Sequence, residues 1–353
     1  MNTKMNTYNK TVTAALLATL ALTGATAFGA IDMAMVKVGD AGNAADGDTG
    51  GIYGAVAYEY QIGKYEVTNA QYAAFLNAVA TTDTYSLYHT QMGSNNQYGG
   101  ITRKGDSGSY IYEVKAGWGN KAVAYVTFWD AARFTNWLTN GQGGAGTTET
   151  GVYNLTTEGI TANSILRDAT AWANGGYAIT SEDEWYKAAY YNGDGSYRQY
   201  PVTGELSWEN ANYYNPNYYE EGTDGGTGKF AMPGGTYIAD VDFYDEVTGA
   251  SSFYETYQQG GNLWEWVDNT TDPAARTGRG GSFNGGDQGS LVSSVRGSPT
   301  AAGTGLVSGS MGFRVVVFSP TAVPEPGSYA AATGLSILVI GMWVRRGRRA
   351  WRG

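Results

Sequence analysis

Apolar residues recur at helical spacing in three stretches of the chain. In residues 67–80, VTNAQYAAFLNAVA, Tyr72, Phe75, Leu76 and Val79 form one apolar stripe and predict a helix. In residues 126–141, VTFWDAARFTNWLTNG, Thr127 and Asp130 have the spacing of a capping box, and Asn140-Gly141 supplies a stop. TSEDEWYKAAYYNG, residues 180–193, repeats the design, with Thr180 and Asp183 at its start and Asn192-Gly193 at its end. Trp137, Leu138 and Trp185 fall on the faces these helices should bury. AVAYEYQIGKYEVT and GFRVVVF carry the β-branched and aromatic residues of short strands. The connections at 85–118 and 205–251 are too rich in Gly, Asn and Tyr to predict regular elements, yet their aromatic residues can be buried. No internal repeat is visible. The pattern predicts few helices, few strands and large ordered loops.

Both ends differ from this middle. Lys4 and Lys10 precede the apolar run 12–22, and Ala25-Thr26-Ala27 follows as a cleavage site, so residues 1–27 read as a secretory signal peptide. Residues 328–344 carry no charge and are just long enough to span a bilayer as a helix. Arg345, Arg346, Arg348, Arg349 and Arg352 follow, which would hold that end in the cytoplasm. Pro324-Glu325-Pro326, the apolar span and the arginines together resemble a PEP-CTERM sorting signal over residues 321–353. That resemblance implies a bacterial exported protein, anchored transiently in the inner membrane and cut by an exosortase-type protease, with the cell surface or extracellular matrix as its destination.

A single domain is expected between them, over residues 28–320. Without the two ends, 15 Lys and Arg face 31 Asp and Glu, a net charge of about −16. Such a surface repels nucleic acid and favours cations. The chain has no cysteine, which excludes disulfides, thiolate nucleophiles and cysteine-ligated metals.

Within the domain, QQGGNLWEWVDN sets Glu265 between Trp264 and Trp266. A buried carboxylate needs a positive partner, and an arginine, a lysine or a metal ion would serve. Other constellations carry less. GDAGNAADGDTGG has Ala57 where a calcium-binding EF-hand loop would place its glutamate, and GRGGSFNGG lacks the Lys-Ser or Lys-Thr of a phosphate loop. Glu182, Asp183 and Glu184 open a predicted helix, where they complement its dipole. His89 is the one histidine and stands in a predicted loop.

YQIGKYEVTNAQYAAFLN, AVAYVTFWDAARFTNWL, ITSEDEWYKAAYY, GGNLWEWVDN, RGGSFNGG and GFRVVV, read in that order, resemble the formylglycine-generating enzyme family, also called the sulfatase-modifying-factor domain. The resemblance spans residues 36–317. It implies an irregular, loop-rich α+β domain of the C-type-lectin-like kind with bound calcium. Carried over by the motifs, Gly261 and Leu263 would offer carbonyl oxygens to one calcium ion, Glu265 its carboxylate and Gln258 its amide oxygen. Asn212, Tyr213, Asp224 and Gly226 would form a second site. Calcium accepts such a mixture of hard oxygens. The alternative for Glu265 is an ion pair with Arg279 or Arg314.

The departures bear on function. The family's enzymes oxidise a substrate cysteine with copper and two cysteines of their own. Here Gly285 and Ser290 stand at about those positions, so no thiolate can bind copper. A branch with a three-histidine iron site is excluded by the single His89. The expectation is a protein with no catalytic residues of the family, no copper and no iron, acting as an exported binding or structural module. Its partner would be an extracellular polysaccharide or a surface protein. The alternative is an extracellular enzyme of different chemistry, a carboxylate-based hydrolase on the same scaffold.

Overall fold

The best-capped sequences form the longest helices. The computed structural model describes residues 30–319 apart from 216–228, 231, 233–236, 273, 275, 285–287 and 298–306. The sorting motif Pro324, Glu325 and Pro326, the signal peptide and the apolar span 328–344 lie outside the described residues. Among those described, no helix is long and apolar enough to cross a membrane.

In chain order the elements are β1 (Met35–Val38), β2 (Tyr60–Gly63), α1 (Asn69–Val79), α2 (Gln91–Ser94), β3 (Ile101–Lys104), β4 (Ile111–Val114) and α3 (Phe128–Thr139). After these come α4 (Thr157–Thr161), α5 (Ala169–Ala173), β5 (Tyr177–Ile179), α6 (Glu182–Tyr190), β6 (Tyr214–Asn215) and β7 (Lys229–Phe230). The chain continues with β8 (Trp264–Val267), β9 (Thr277–Arg279), β10 (Met311–Gly312) and β11 (Val315–Phe318). A four-stranded antiparallel sheet has the order β1-β2-β11-β5, and a three-stranded sheet the order β10-β8-β9. The two sheets meet in sequence at Phe313-Arg314, between β10 and β11. This is a mixed, loop-rich α+β architecture.

α1 and α3 start where expected. Thr68 and Thr127 accept hydrogen bonds from the backbone of Gln71 and Asp130, which return the bond to the cap residue's own N–H. α6 starts one residue later than the sequence suggested. Its box is Ser181 with Glu184, because Thr180 completes the extended run after β5 and Asp183 is drawn to the backbone N–H of Gly54. The connection at 85–118 is also more regular than expected. It holds α2 and the β3–β4 hairpin, paired from Ile101↔Val114 to Lys104↔Ile111. These strands are four residues each, too short for their alternation to stand out from the surrounding Gly and Asn.

The core is aromatic. Phe75 of α1 meets Phe134 and Trp137 of α3 at ring separations of 5.4 and 5.3 Å, and Phe134 meets Phe313 at 5.4 Å. Such pairs contribute about 0.5–1.5 kcal/mol each beyond their area. Buried amides then fix the loops. Asn136 donates to the carbonyls of Thr148 and Tyr153 at 2.8 and 2.7 Å and accepts from Tyr153 N at 3.0 Å.

Several of the charged groups inside this core are paired. Glu265 and Arg314 are both fully buried. Arg314 donates to both oxygens of Glu265 at 2.7 Å, to the carbonyls of Gly63 and Lys64 at 2.9 and 3.1 Å, and to that of Tyr257 at 2.9 Å. A guanidinium has five N–H donors, and here all five are used. Trp185 Nε1 donates to Glu265 as well, at 2.8 Å. Three further buried carboxylates repeat the pattern. Arg276 holds Asp268, Arg167 holds Glu184, and Arg279 with Arg296 holds Glu182. Glu182 and Glu184, which the sequence suggested as dipole partners, are therefore mainly ion-pair partners.

Two outcomes follow from these contacts. Glu265→Gln keeps the shape but strands the Arg314 charge, and should lower the unfolding free energy by about 3–5 kcal/mol, the cost of breaking a buried pair. Urea denaturation checks it, and a loss under 1 kcal/mol counts against the pair. Asp130, the α3 cap, is pushed up to about 7, first by burial and against the pull of its hydrogen bonds to Thr127. Between the ordinary Asp value and 7 the folded chain keeps a proton that the unfolded chain has released, so this group's contribution is fullest in acid and falls as pH rises. Asp130→Asn should thus match the parent near pH 4 and gain on it through pH 7 in melts across that range.

Candidate functional site

Of the residues singled out for calcium, the fold brings Asn212 and Gly261 together. Asn212 and Gly261 form a parallel bridge, and Asn262 N donates to Asn212 O at 2.8 Å. Gly261 has φ +85°, and a Cβ there would lie 2.2 Å from Asn212 O, so only glycine permits the approach. Gln258 and Asn262 on either side also adopt positive φ, 56° and 54°. The chain between Gln258 and Leu263 is thus a tight, left-handed wrap whose side chains are all buried.

The donors in this wrap differ in availability. The carboxylate of Glu265 is filled by Arg314 and Trp185, so the ion-pair alternative describes its contacts and it presents no open ligand. Gln258 donates through Nε2 to the carbonyls of Asp240 and Val241, leaving its buried Oε1 with no hydrogen-bond donor. Asn212 donates to Tyr237 O and Asn262 Oδ1, and its buried Oδ1 is likewise without a donor. Two orphaned amide oxygens suit a hard cation or a water molecule. Tyr213, next to Asn212 in sequence, is buried. Asp224 and Gly226 lie outside the described residues. Among the described residues, no three His, Asp or Glu side chains cluster closely enough to hold a metal by themselves.

Glu66, which the sequence did not mark, sits behind the wrap. It accepts from Asn262 Nδ2 at 2.5 Å and from Leu263 N at 3.2 Å. Burial, then the Glu265 charge, pushes its carboxyl well above the usual range, with Arg314 opposing. It also touches a cleft of about 330 Å³ that Asp32 and Asp242 line.

The RGGS segment is where the family's redox cysteines would follow. Ser282 is buried and donates to Asn284 Oδ1 at 2.7 Å. Phe283 is buried between Tyr98 and Tyr237, with centroids at 5.1 and 5.9 Å and ring planes within 25° and 10°. Ser290 packs against Gly281, and Gly285 lies outside the described residues. Aromatic side chains fill this face.

A larger cavity, about 540 Å³, opens next to that stack. Gly309 separates the two, since a Cβ on it would lie 2.8 Å from both Tyr98 and the Tyr125 hydroxyl. His89 stacks on Tyr125 at 5.7 Å, and Trp129 and Tyr85 complete its aromatic lining. Arg133, also in the lining, lies under the Tyr85 ring at 4.4 Å and is held by Glu149 at 2.7 and 3.1 Å. Tyr125 has φ +63°, a conformation that costs an aromatic residue about 1–3 kcal/mol and is kept where function or packing demands it. Sequence reasoning missed this cavity. Its walls come from residues 85–89, 125–133, 157–161 and 307, and no single segment announces it.

Solved structures of other proteins are similar to this chain. A crystal structure of CarF is 20% identical, with a TM-score of 0.46, covering 82% of this chain and 99% of that one. Treponema denticola variable protein 1 is 17% identical, with a TM-score of 0.45, covering 82% of this chain and 97% of its own. No curated protein matches the chain. Residues 28–318 match the sulfatase-modifying factor enzyme 1-like domain. Motif order and the extent of that match lead to one statement: the chain belongs to the sulfatase-modifying factor enzyme 1-like family.

Proposed function

We propose that the chain is a non-catalytic binding or structural module on the formylglycine-generating scaffold, exported and presented at the cell surface. The observation that carries this reading is a cysteine-free chain whose face at Ser282–Phe283 is packed with aromatic rings. The family's chemistry needs two thiols there, and serine cannot form a mixed disulfide. Copper and iron have no place in this reading. Export rests on the sequence of residues 1–27 and 321–353, with an exosortase-type protease cutting near Pro324-Glu325-Pro326. A relation to C-type lectin folds would suit a protein that binds through loops.

Calcium belongs in the proposal at one place. Asn212 Oδ1 would be a ligand, with Tyr213, Asp224 and Gly226 supplying the others, because the buried oxygen has no donor. The ion would neutralise part of an acidic domain and tie its loops together. Gln258, Gly261 and Leu263 could hold a second ion only without Glu265.

The carboxylate-hydrolase reading has one observation in its favour, the cleft lined by Asp32, Glu66 and Asp242 with Glu66 pushed up. Both oxygens of Glu66 already accept hydrogen bonds from Asn262 and Leu263, which favours a structural role over a catalytic one.

Two measurements test these proposals. The purified chain should leave a sulfatase-type cysteine peptide unconverted, with or without copper, and aldehyde product above a protein-free control in mass spectrometry would overturn the module reading. Calcium at a hundredfold excess over its dissociation constant should add about 2.7 kcal/mol to stability. Because Glu265 is an ion-pair partner, Glu265→Gln should keep that increment while starting from a lower melting temperature. Identical melts in calcium and in chelator would count against the site.

A further inference from the structure

The cavity of about 540 Å³ beside the Phe283 stack has the size of a small-molecule site. Its walls are aromatic and its rim carries hydroxyls. Tyr85 is 45% exposed, and Arg133 beneath it, fixed by Glu149, keeps the ring in place. The His89–Tyr125 pair offers a second flat surface, and the backbone of Tyr125 is anchored by its N–H to Ser308 O at 3.0 Å. Thr157 and Thr161 of α4 and Ser86 add hydroxyl groups.

Trp129 lines the same cavity and is 4% exposed. Its ring is wedged edge-on against Phe128 at 5.2 Å and lies under Arg276 at 5.1 Å. Its Nε1 is buried without an acceptor. An unmade hydrogen bond of this kind costs about 1–3 kcal/mol, and here the packing of the ring outweighs it.

Charge narrows the ligand class. Arg133 is neutralised by Glu149, burial holds Asp130 toward its protonated form, and burial lowers the pKa of His89. Little uncompensated charge faces the cavity, so it has no means to select a phosphate, a carboxylate or a cation. What remains is apolar faces ringed by hydrogen-bonding groups. A pyranose matches that description, with C–H groups on its faces and hydroxyls around its edge.

We propose that this cavity binds a neutral pyranose unit of a polysaccharide, with Tyr85 and the His89–Tyr125 pair against the sugar faces and Ser86, Thr157 and Thr161 bonded to its hydroxyls. The inference rests on the binding-module reading and gives it a ligand class and an address.

Saturation-transfer NMR on the purified chain, with methyl β-D-glucopyranoside and methyl α-D-mannopyranoside as probes, tests it. At least one neutral glycoside should receive saturation, strongest on its ring C–H protons. Tyr85→Ala removes an exposed ring without touching the core, and should weaken binding about tenfold, the equivalent of 1.4 kcal/mol. D-glucuronate should bind no better than the neutral probes. Absence of transfer to either glycoside, tighter binding of glucuronate, or full affinity in Tyr85→Ala would each overturn the proposal. If a polysaccharide still bound Tyr85→Ala at full affinity, this address would fail while the module reading stood. Turnover of a bound glycan would remove the module reading beneath it.

Discussion

Arg314 has no exposed surface, yet it carries a full charge into the centre of the domain. It is tolerated because every N–H it owns is met, two of them by Glu265 and three by carbonyls of Gly63, Lys64 and Tyr257. Those partners lie at the end of β2, on β8 and in the loop entering the left-handed wrap. Arg314 itself lies between β10 and β11. One side chain thus ties both sheets and the wrap at a single point. Moving any of these parts would leave a buried donor or a buried carboxylate unpaired, and such groups cost several kcal/mol.

The same solution recurs around it. Arg276, Arg279 and Arg167 each lie over aromatic rings, at 4.3 Å from Phe128, 4.4 Å from Tyr53 and 4.4 Å from Trp172, while binding a buried acid. The rings exclude water, and their faces partly offset the desolvation of the cation. This explains why a chain with so little regular structure can be ordered without disulfides. Where sheets and helices do not satisfy the backbone, arginine and asparagine side chains do, as Asn136 does for Thr148 and Tyr153.

The parts legible in the sequence were those whose cause is local. Thr127 with Asp130 fixes the start of α3 because the cap and its partner are three residues apart. The wrap at Gly261 was legible as a tight turn because its glycines and its asparagine stand together, whereas calcium there came from the family resemblance and stays a proposal. Where the cause is distant, the sequence was silent. Glu182 is the first residue of α6, but its partners Arg279 and Arg296 are 97 and 114 residues away. The choice between Arg279 and Arg314 for Glu265 could not be made from spacing either. Arg279 stands opposite Glu265 in the β8–β9 register, yet its guanidinium turns to Glu182. The cavity beside Tyr125 is the extreme case, assembled from four segments, with the unusual backbone of Tyr125 hidden until the fold is formed.

The paired arginines also shape how such a domain can diverge. A surface cysteine or a loop residue can be exchanged in one step, with little effect on the remainder. Neither Glu265 nor Arg314 can be, because each single replacement passes through a form with a lone buried charge. The pair can leave only together, or be replaced together by apolar residues that fill the same volume, a change that is often neutral or stabilising once complete. Mutational drift is therefore steered away from the ion pairs and into the loops and cavities. New binding surfaces can accumulate there while the frame beneath them stays fixed.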